Sequence, residues 1–284
     1  MDIRRLDYQT PPNGRPYALF LTALVLFVVV SNVLSAWLGT HLSILVSQFG
    51  IILGVALIYQ RTRGPQAPRW PSLRRLGASP AILALVVVTA VAIGLLANVL
   101  GALIVELVPP FQVIAEQYRE AMENLLLNAT PFEQFLGIVA IAVAAPICEE
   151  VLFRGAILPE QRVTQGVTTA IVVNGLLFAL MHLNPVSFVP LAIIGSFFAY
   201  LTIRTQSLWP AIIAHAALNT ANGVVLPRLT EGMAGPEESA SLLELLAAIA
   251  VLGVVAFGLW WLLAQLLGRS GRNERFSEPS PEGI

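Results

Sequence analysis

The sequence predicts an all-α fold, a polytopic membrane helix bundle with about eight transmembrane helices. Three observations carry that expectation. Of 284 residues, 56% are hydrophobic and only 12% charged, with a mean hydropathy of +0.77; soluble domains carry roughly 25% charged residues. Apolar runs recur at the length a spanning helix requires, about 20 mainly apolar residues. The arginines, finally, gather in alternate connecting segments, and the chain has no lysine.

In chain order, 16–39 and 42–60 read as the first two spans. Arg4, Arg5 and Arg15 precede an apolar run from Tyr17 to Leu38. A cleaved signal peptide has an apolar core of only about 7–15 residues, so this run is read as a retained span. The following RTRGPQAPRWPSLRRLGASP is basic and proline-rich, a topology determinant facing anionic lipid. Span 80–108 is long enough to tilt or to begin outside the hydrocarbon. In FQVIAEQYREAMENLLLNAT the apolar positions Phe111, Ile114, Tyr118, Met122 and Leu125 suit an amphipathic helix on the outer surface. Asn128–Ala129–Thr130 fits a glycosylation acceptor, but so short a match carries little weight. Spans 134–158, 167–183, 187–203, 208–226 and 241–267 follow, the second and third of these joined only by LNPV. The tail RSGRNERFSEPSPEGI reads as disordered.

With the N-terminus inside, thirteen of the sixteen arginines fall in inner segments and only Arg119 and Arg228 in outer ones, Arg154 lying within a span. That asymmetry predicts cytoplasmic termini. A net charge of −1 points to no nucleic-acid partner, and the single Cys148 excludes an internal disulfide or a multi-cysteine metal site.

Against this background three polar constellations stand out. In APICEEVLFR, an ionised group at bilayer depth costs about 2.5–3.5 kcal/mol even on the lenient scale, yet Glu149, Glu150 and Arg154 occur together. Glu150 and Arg154 are four apart and can pair on one helix face. Glu149, about 100° further round, is free to point elsewhere. An ion cluster that merely holds helices together accounts for Glu150 and Arg154 but poorly for Glu149. A lone carboxylate in a dry site takes up a proton, which is the property a general acid or base exploits. The second constellation is Phe178-Ala-Leu-Met-His182 and the third His215-Ala-Ala-Leu-Asn219. Taken singly, a histidine at a helix end is most often a satisfied core residue, and an intramembrane Asn is often interhelical glue. Together they offer Glu, His and His–Asn from three helices toward one cavity, while His41 at the outer boundary needs no special role. Two chemistries use this set. Glu149, His182 and His215 match the ligand set of catalytic zinc hydrolases. Alternatively, Glu149 and His182 activate water directly while His215 and Asn219 donate to an oxyanion. Either is hydrolysis.

The ordered motifs EEVLFR, FALMH and HAALN resemble the EExxxR, FxxxH and HxxxN set of the CAAX protease and bacteriocin-processing family (CPBP, or Abi), which includes the Ras-converting CAAX endopeptidase. The resemblance covers roughly residues 134–225. It implies an eight-helix intramembrane endopeptidase, a prenyl-protease-like hydrolase open to cytoplasm and lipid. By that likeness Glu149 is the water-activating carboxylate and His182 its partner. His215 and Asn219 bind metal, with zinc left open, or stabilise the oxyanion; Glu150, Arg154 and Phe178 support them. The expected substrate is a membrane-anchored peptide or protein, and the expected location is the plasma membrane of a prokaryote. The chain then divides into 1–133 (three spans and the outer amphipathic segment), 134–226 (catalytic core) and 227–284 (last span and tail). The rival readings are a proton-coupled transporter, which would be expected to show an internal repeat that the sequence lacks, and a non-catalytic membrane scaffold. One height does not fit. His182 lies on the order of 10 Å too far outward along its span, which predicts that the LNPV turn is recessed within protein.

Overall fold

The computed structural model describes residues 14–64, 68–230 and 240–276. Among the described residues the only departure from helix and loop is an isolated bridge between Ser72 and Ser207. The helical rods are α1 (Arg15–Thr62), α2 (Pro80–Leu107), α3 (Phe111–Leu126), α4 (Pro131–Gln165), α5 (Val167–Met181) and α6 (Phe188–Thr205), followed by α7 and α8. α7 begins as Trp209–Asn219 and continues through Thr220–Val225 and Leu226–Thr230, and α8 is Leu242–Phe276. The first two expected spans form one rod that doubles back at Gly39, whose φ of +72° and ψ of 167° favour glycine. Ser31 donates its Oγ hydrogen to Ser47 Oγ at 2.8 Å; on a straight helix those residues would stand about 24 Å apart. α1 is therefore a hairpin.

Local chemistry sets the other boundaries. Ser79 caps α2, with Pro80 in the first turn. Thr130 and Glu133 form a reciprocal capping box at the start of α4, so the would-be glycosylation threonine is a helix cap. Gly166, at φ +80°, separates α4 from α5. The amphipathic α3 buries Leu125 and half-buries Phe111, Ile114 and Met122, whereas Tyr118 is exposed. The basic segment between α1 and α2 is tied to the α6–α7 turn. Ser72 N–H donates to Gln206 O (2.9 Å), Leu208 N–H to Ser72 O (3.1 Å) and Trp209 Nε1–H to Leu73 O (2.8 Å). Arg69, Arg74 and Arg75 remain exposed.

Five helices are long and apolar enough to cross a membrane (Arg15–Thr62, Pro80–Leu107, Pro131–Gln165, Phe188–Thr205 and Leu242–Gly268), with Val167–Met181 a shorter apolar helix. Their outward faces are apolar: Leu21, Val25, Val29 and Val33 form an exposed stripe on α1, and Val254 and Phe257 lie exposed on α8. Water would not tolerate such a surface and hydrocarbon does. The protein is an integral membrane helix bundle. Inside it, α2 packs against α7 and α8, and α5 against α6.

Two expectations change. Leu183, with φ +50°, is 59% exposed, and Pro185 and His182 are exposed too, so the LNPV turn is a surface turn rather than a recessed one. Asn184 Oδ1 closes it by accepting from Val186 and Ser187 N–H. α8 runs on to Phe276, into the segment read as tail; 277–284, like Arg4 and Arg5, lie outside the described residues.

The tightest helix contact is between α5 and α6. A Cβ on Gly175 would stand 2.2 Å from Ser196 Oγ and 2.5 Å from the Ala192 carbonyl, and one on Gly195 would stand 2.9 Å from Gly175 Cα. Gly175→Leu should therefore part the two helices, at a cost of at least about 1–3 kcal/mol. The expected result is a lowered thermal midpoint in detergent, while Gly253→Leu, where a Cβ meets nothing within 4 Å, leaves it unchanged.

Candidate active site

Four wide turns interrupt the rods: Gln48–Leu53 in α1, Ala140–Ala144 and Val151–Ile157 in α4, and Thr220–Val225 in α7. Ala145, Leu158 and Leu226 donate their N–H groups five residues back, to the carbonyls of Ala140, Phe153 and Ala221. Such π-turns insert an extra residue and re-aim the side chains beside them, and they recur at functional sites. Gln48 opens the first, Glu149 and Glu150 lie between the next two, and Asn219 abuts the fourth.

Glu150 and Arg154 are fully buried and paired, Arg154 Nη1 donating to Glu150 Oε1 at 3.0 Å. Arg154 Nη2 donates to the Gly195 carbonyl at 2.6 Å. The guanidinium carbon lies 4.7 Å from the Phe178 ring centroid, 5.4 Å from Phe198 and 5.6 Å from Phe153, an aromatic cage for a cation. His215, 3% exposed, donates Nδ1–H to the same Glu150 Oε1 at 2.9 Å and stacks on Phe198 with centroids 5.0 Å apart. His182 is exposed at the C-terminal end of α5 and donates Nδ1–H to the Phe178 carbonyl at 2.8 Å. Its ring lies 4.9 Å from that of Phe178, and His215 lies 5.6 Å from the same ring. With Nδ1 of each ring hydrogen-bonded, Nε2 is the ring nitrogen left for other contacts.

Glu149 takes a different path. It is 8% exposed, and its Oε1 accepts from Gln48 Nε2 at 3.0 Å. Its Oε2 has no hydrogen-bond partner, and no cation lies in ion-pair contact with it among the described residues. Gln48, itself 4% exposed, is the partner that sequence reasoning missed. It lies 101 positions away in the chain, and no spacing rule links the two. Asn219 is half-buried and donates from Nδ2 to the Ile141 carbonyl at 2.9 Å, joining α7 to α4 ahead of Glu149.

The three motifs therefore converge partly by direct contact. Glu150, Arg154 and His215 touch, and Phe178 lies against Arg154 and both imidazoles. No hydrogen bond joins Glu149, His182 and Asn219 to one another among the described residues. Nor, among the described residues, do three His, Cys, Asp or Glu side chains gather there as around a metal ion. The donor set as it stands does not fit a three-ligand zinc centre of Glu149, His182 and His215.

Fold and centre together define a polytopic membrane protein with a buried acid–arginine–imidazole network. Residues 131–221, holding all three motifs, match the family model of the type II CAAX prenyl endopeptidases, Rce1-like. That Rce1-like segment covers about a third of the chain. No curated protein and no solved structure matches the chain.

Arg154→Leu should leave Glu150 buried without its cation, a loss of about 3–5 kcal/mol. Folded yield on size exclusion should fall sharply. Combining it with Glu150→Leu, which removes both charges, should recover part of that yield.

Proposed function

We propose that the protein is an intramembrane endopeptidase in which Glu149 activates water against a peptide bond of a membrane-associated substrate. The observation that carries this reading is the contrast between two adjacent acids. Glu150 is committed through Oε1 to Arg154 and His215, whereas Glu149 Oε1 is held by a neutral amide; the second oxygen of each acid has no hydrogen-bond partner. A carboxylate fixed in place yet not bonded to a cation is what a general base requires.

In this reading Glu149 Oε2 takes a proton from water as the water oxygen bonds to the scissile carbonyl carbon. The C–N bond then breaks and that proton passes to the leaving amine. Asn219 keeps a second Nδ2 hydrogen for the developing oxyanion, since only one is needed for Ile141. His215, its ring fixed by Glu150, is the second group in this reading to face the oxyanion. His182, exposed beside the surface turn at the end of α5, is the imidazole a substrate from outside the bundle would meet first.

Glu149→Gln is close to isosteric and keeps an amide in place of the acid, so the bundle should fold. It should abolish cleavage of a membrane-anchored fluorogenic peptide by at least about 10²-fold. His182→Ala should do likewise with unaltered thermal stability, because its ring is exposed. Turnover retained in both variants would refute the mechanism.

A further inference from the structure

A cleft of about 570 Å³ opens between the two arms of the α1 hairpin at its open end, and none of the motif residues lines it. Its lining is graded. Arg15, Tyr59 and Arg63 lie toward the ends of the two arms, while Leu19, Leu26 and Val55 lie further along them. Arg15 to Leu26 spans about 16 Å of helix, so a polar mouth leads into an apolar slot.

The polar groups at the mouth are unequally engaged. Arg63 donates Nη1–H to the Pro68 carbonyl at 2.5 Å and stacks over Trp70 at 5.6 Å, which fixes its guanidinium beside the cleft. Tyr59 O–H points inward and donates to Glu160 Oε1 at 2.7 Å; that carboxylate is fully buried. Arg15 is exposed and has no hydrogen-bond or ion-pair partner among the described residues. Two guanidiniums against one carboxylate leave the mouth positive. The neighbouring Arg61, Arg69, Arg74 and Arg75 are exposed as well, so this end of the bundle attracts anions. An apolar slot of this size on a face turned to hydrocarbon is filled by a chain rather than by water.

We infer that this cleft is a binding site for one anionic glycerophospholipid, its phosphodiester between Arg15 and Arg63 and one acyl chain along Leu19 and Leu26. The inference does not depend on the protease reading. Arg15 and Leu26 lie on the surface, so variants at both should fold.

The test is native mass spectrometry of the full chain, delipidated in detergent and titrated with phosphatidylglycerol or phosphatidylcholine of identical acyl chains. One phosphatidylglycerol should be retained in preference to phosphatidylcholine. Arg15→Gln should weaken its retention about fivefold, and Leu26→Trp, which fills the slot, should also weaken it. Inorganic phosphate at the same concentration should not displace it, because phosphate lacks the chain. Equal retention of the two lipids, retention unchanged in both variants, displacement by phosphate alone, or displacement by a prenylated peptide would each overturn the assignment; the last would make the cleft part of a substrate path.

Discussion

The constraint on which the rest depends is the burial of one guanidinium. Arg154 has no exposure, and an isolated ion so placed costs several kcal/mol. The offset comes from several rods at once: Glu150 from its own helix, the Gly195 carbonyl and Phe198 from α6, and Phe178 from α5. His215 of α7 joins through the shared carboxylate oxygen. The Gly175–Gly195 contact then acquires a second meaning. Close approach of α5 and α6 is what lets a backbone carbonyl and two phenyl rings reach the same cation. The ion cluster orients four helices, and their packing keeps the cluster dry.

Much of this was legible in the chain itself. Hydropathy placed most ends of the apolar rods to within a few residues, because a bilayer demands a length and forbids charge, whereas α4 and α8 run on to Gln165 and Phe276, past the expected 158 and 267. The four-residue spacing of Glu150 and Arg154 foretold their pairing, while the expected convergence of the three motifs on one cavity is met only in part, through the contacts of Phe178 with Arg154 and both imidazoles. What escaped the sequence was geometry set by more than one element. Gln48 was invisible because a hydrogen bond across 101 positions follows from the hairpin at Gly39, not from any local pattern. The surface position of the LNPV turn escaped for a related reason. Its depth was deduced from a uniform 1.5 Å rise, and wide turns in α1, α4 and α7 break that uniformity. Asn174 is a comparable case: it looked like one more residue of an apolar span, yet it is fully buried, donating to the Phe153 carbonyl and to Gln161.

The wide turns also explain how neighbouring acids come to have unlike surroundings. On a regular helix Glu149 and Glu150 would already diverge by about 100°. Here the two are bracketed by Ala140–Ala144 and Val151–Ile157, so the short regular stretch Ala145–Glu150 is framed by irregular backbone on both sides. One acid turns toward α5, α6 and α7 and becomes the anion of an ion cluster. The other turns toward α1 and meets an amide. A single dipeptide thereby supplies a structural charge and a candidate base.

That division limits where chemistry can take place. A base must be reachable by water and substrate, and the Glu150–Arg154–His215 network is closed by aromatic rings on several sides. Glu149 is 8% exposed as a residue although its Oε2 is buried, Asn219 is half-buried and His182 is open to the surface. Accessibility therefore increases from the network outward along the motif residues. If the paired acid were the base, protonating it would remove the negative charge that compensates a buried arginine. Using the amide-held acid leaves that network intact throughout the reaction, so the fold and the proposed chemistry place no opposing demands on the same carboxylate.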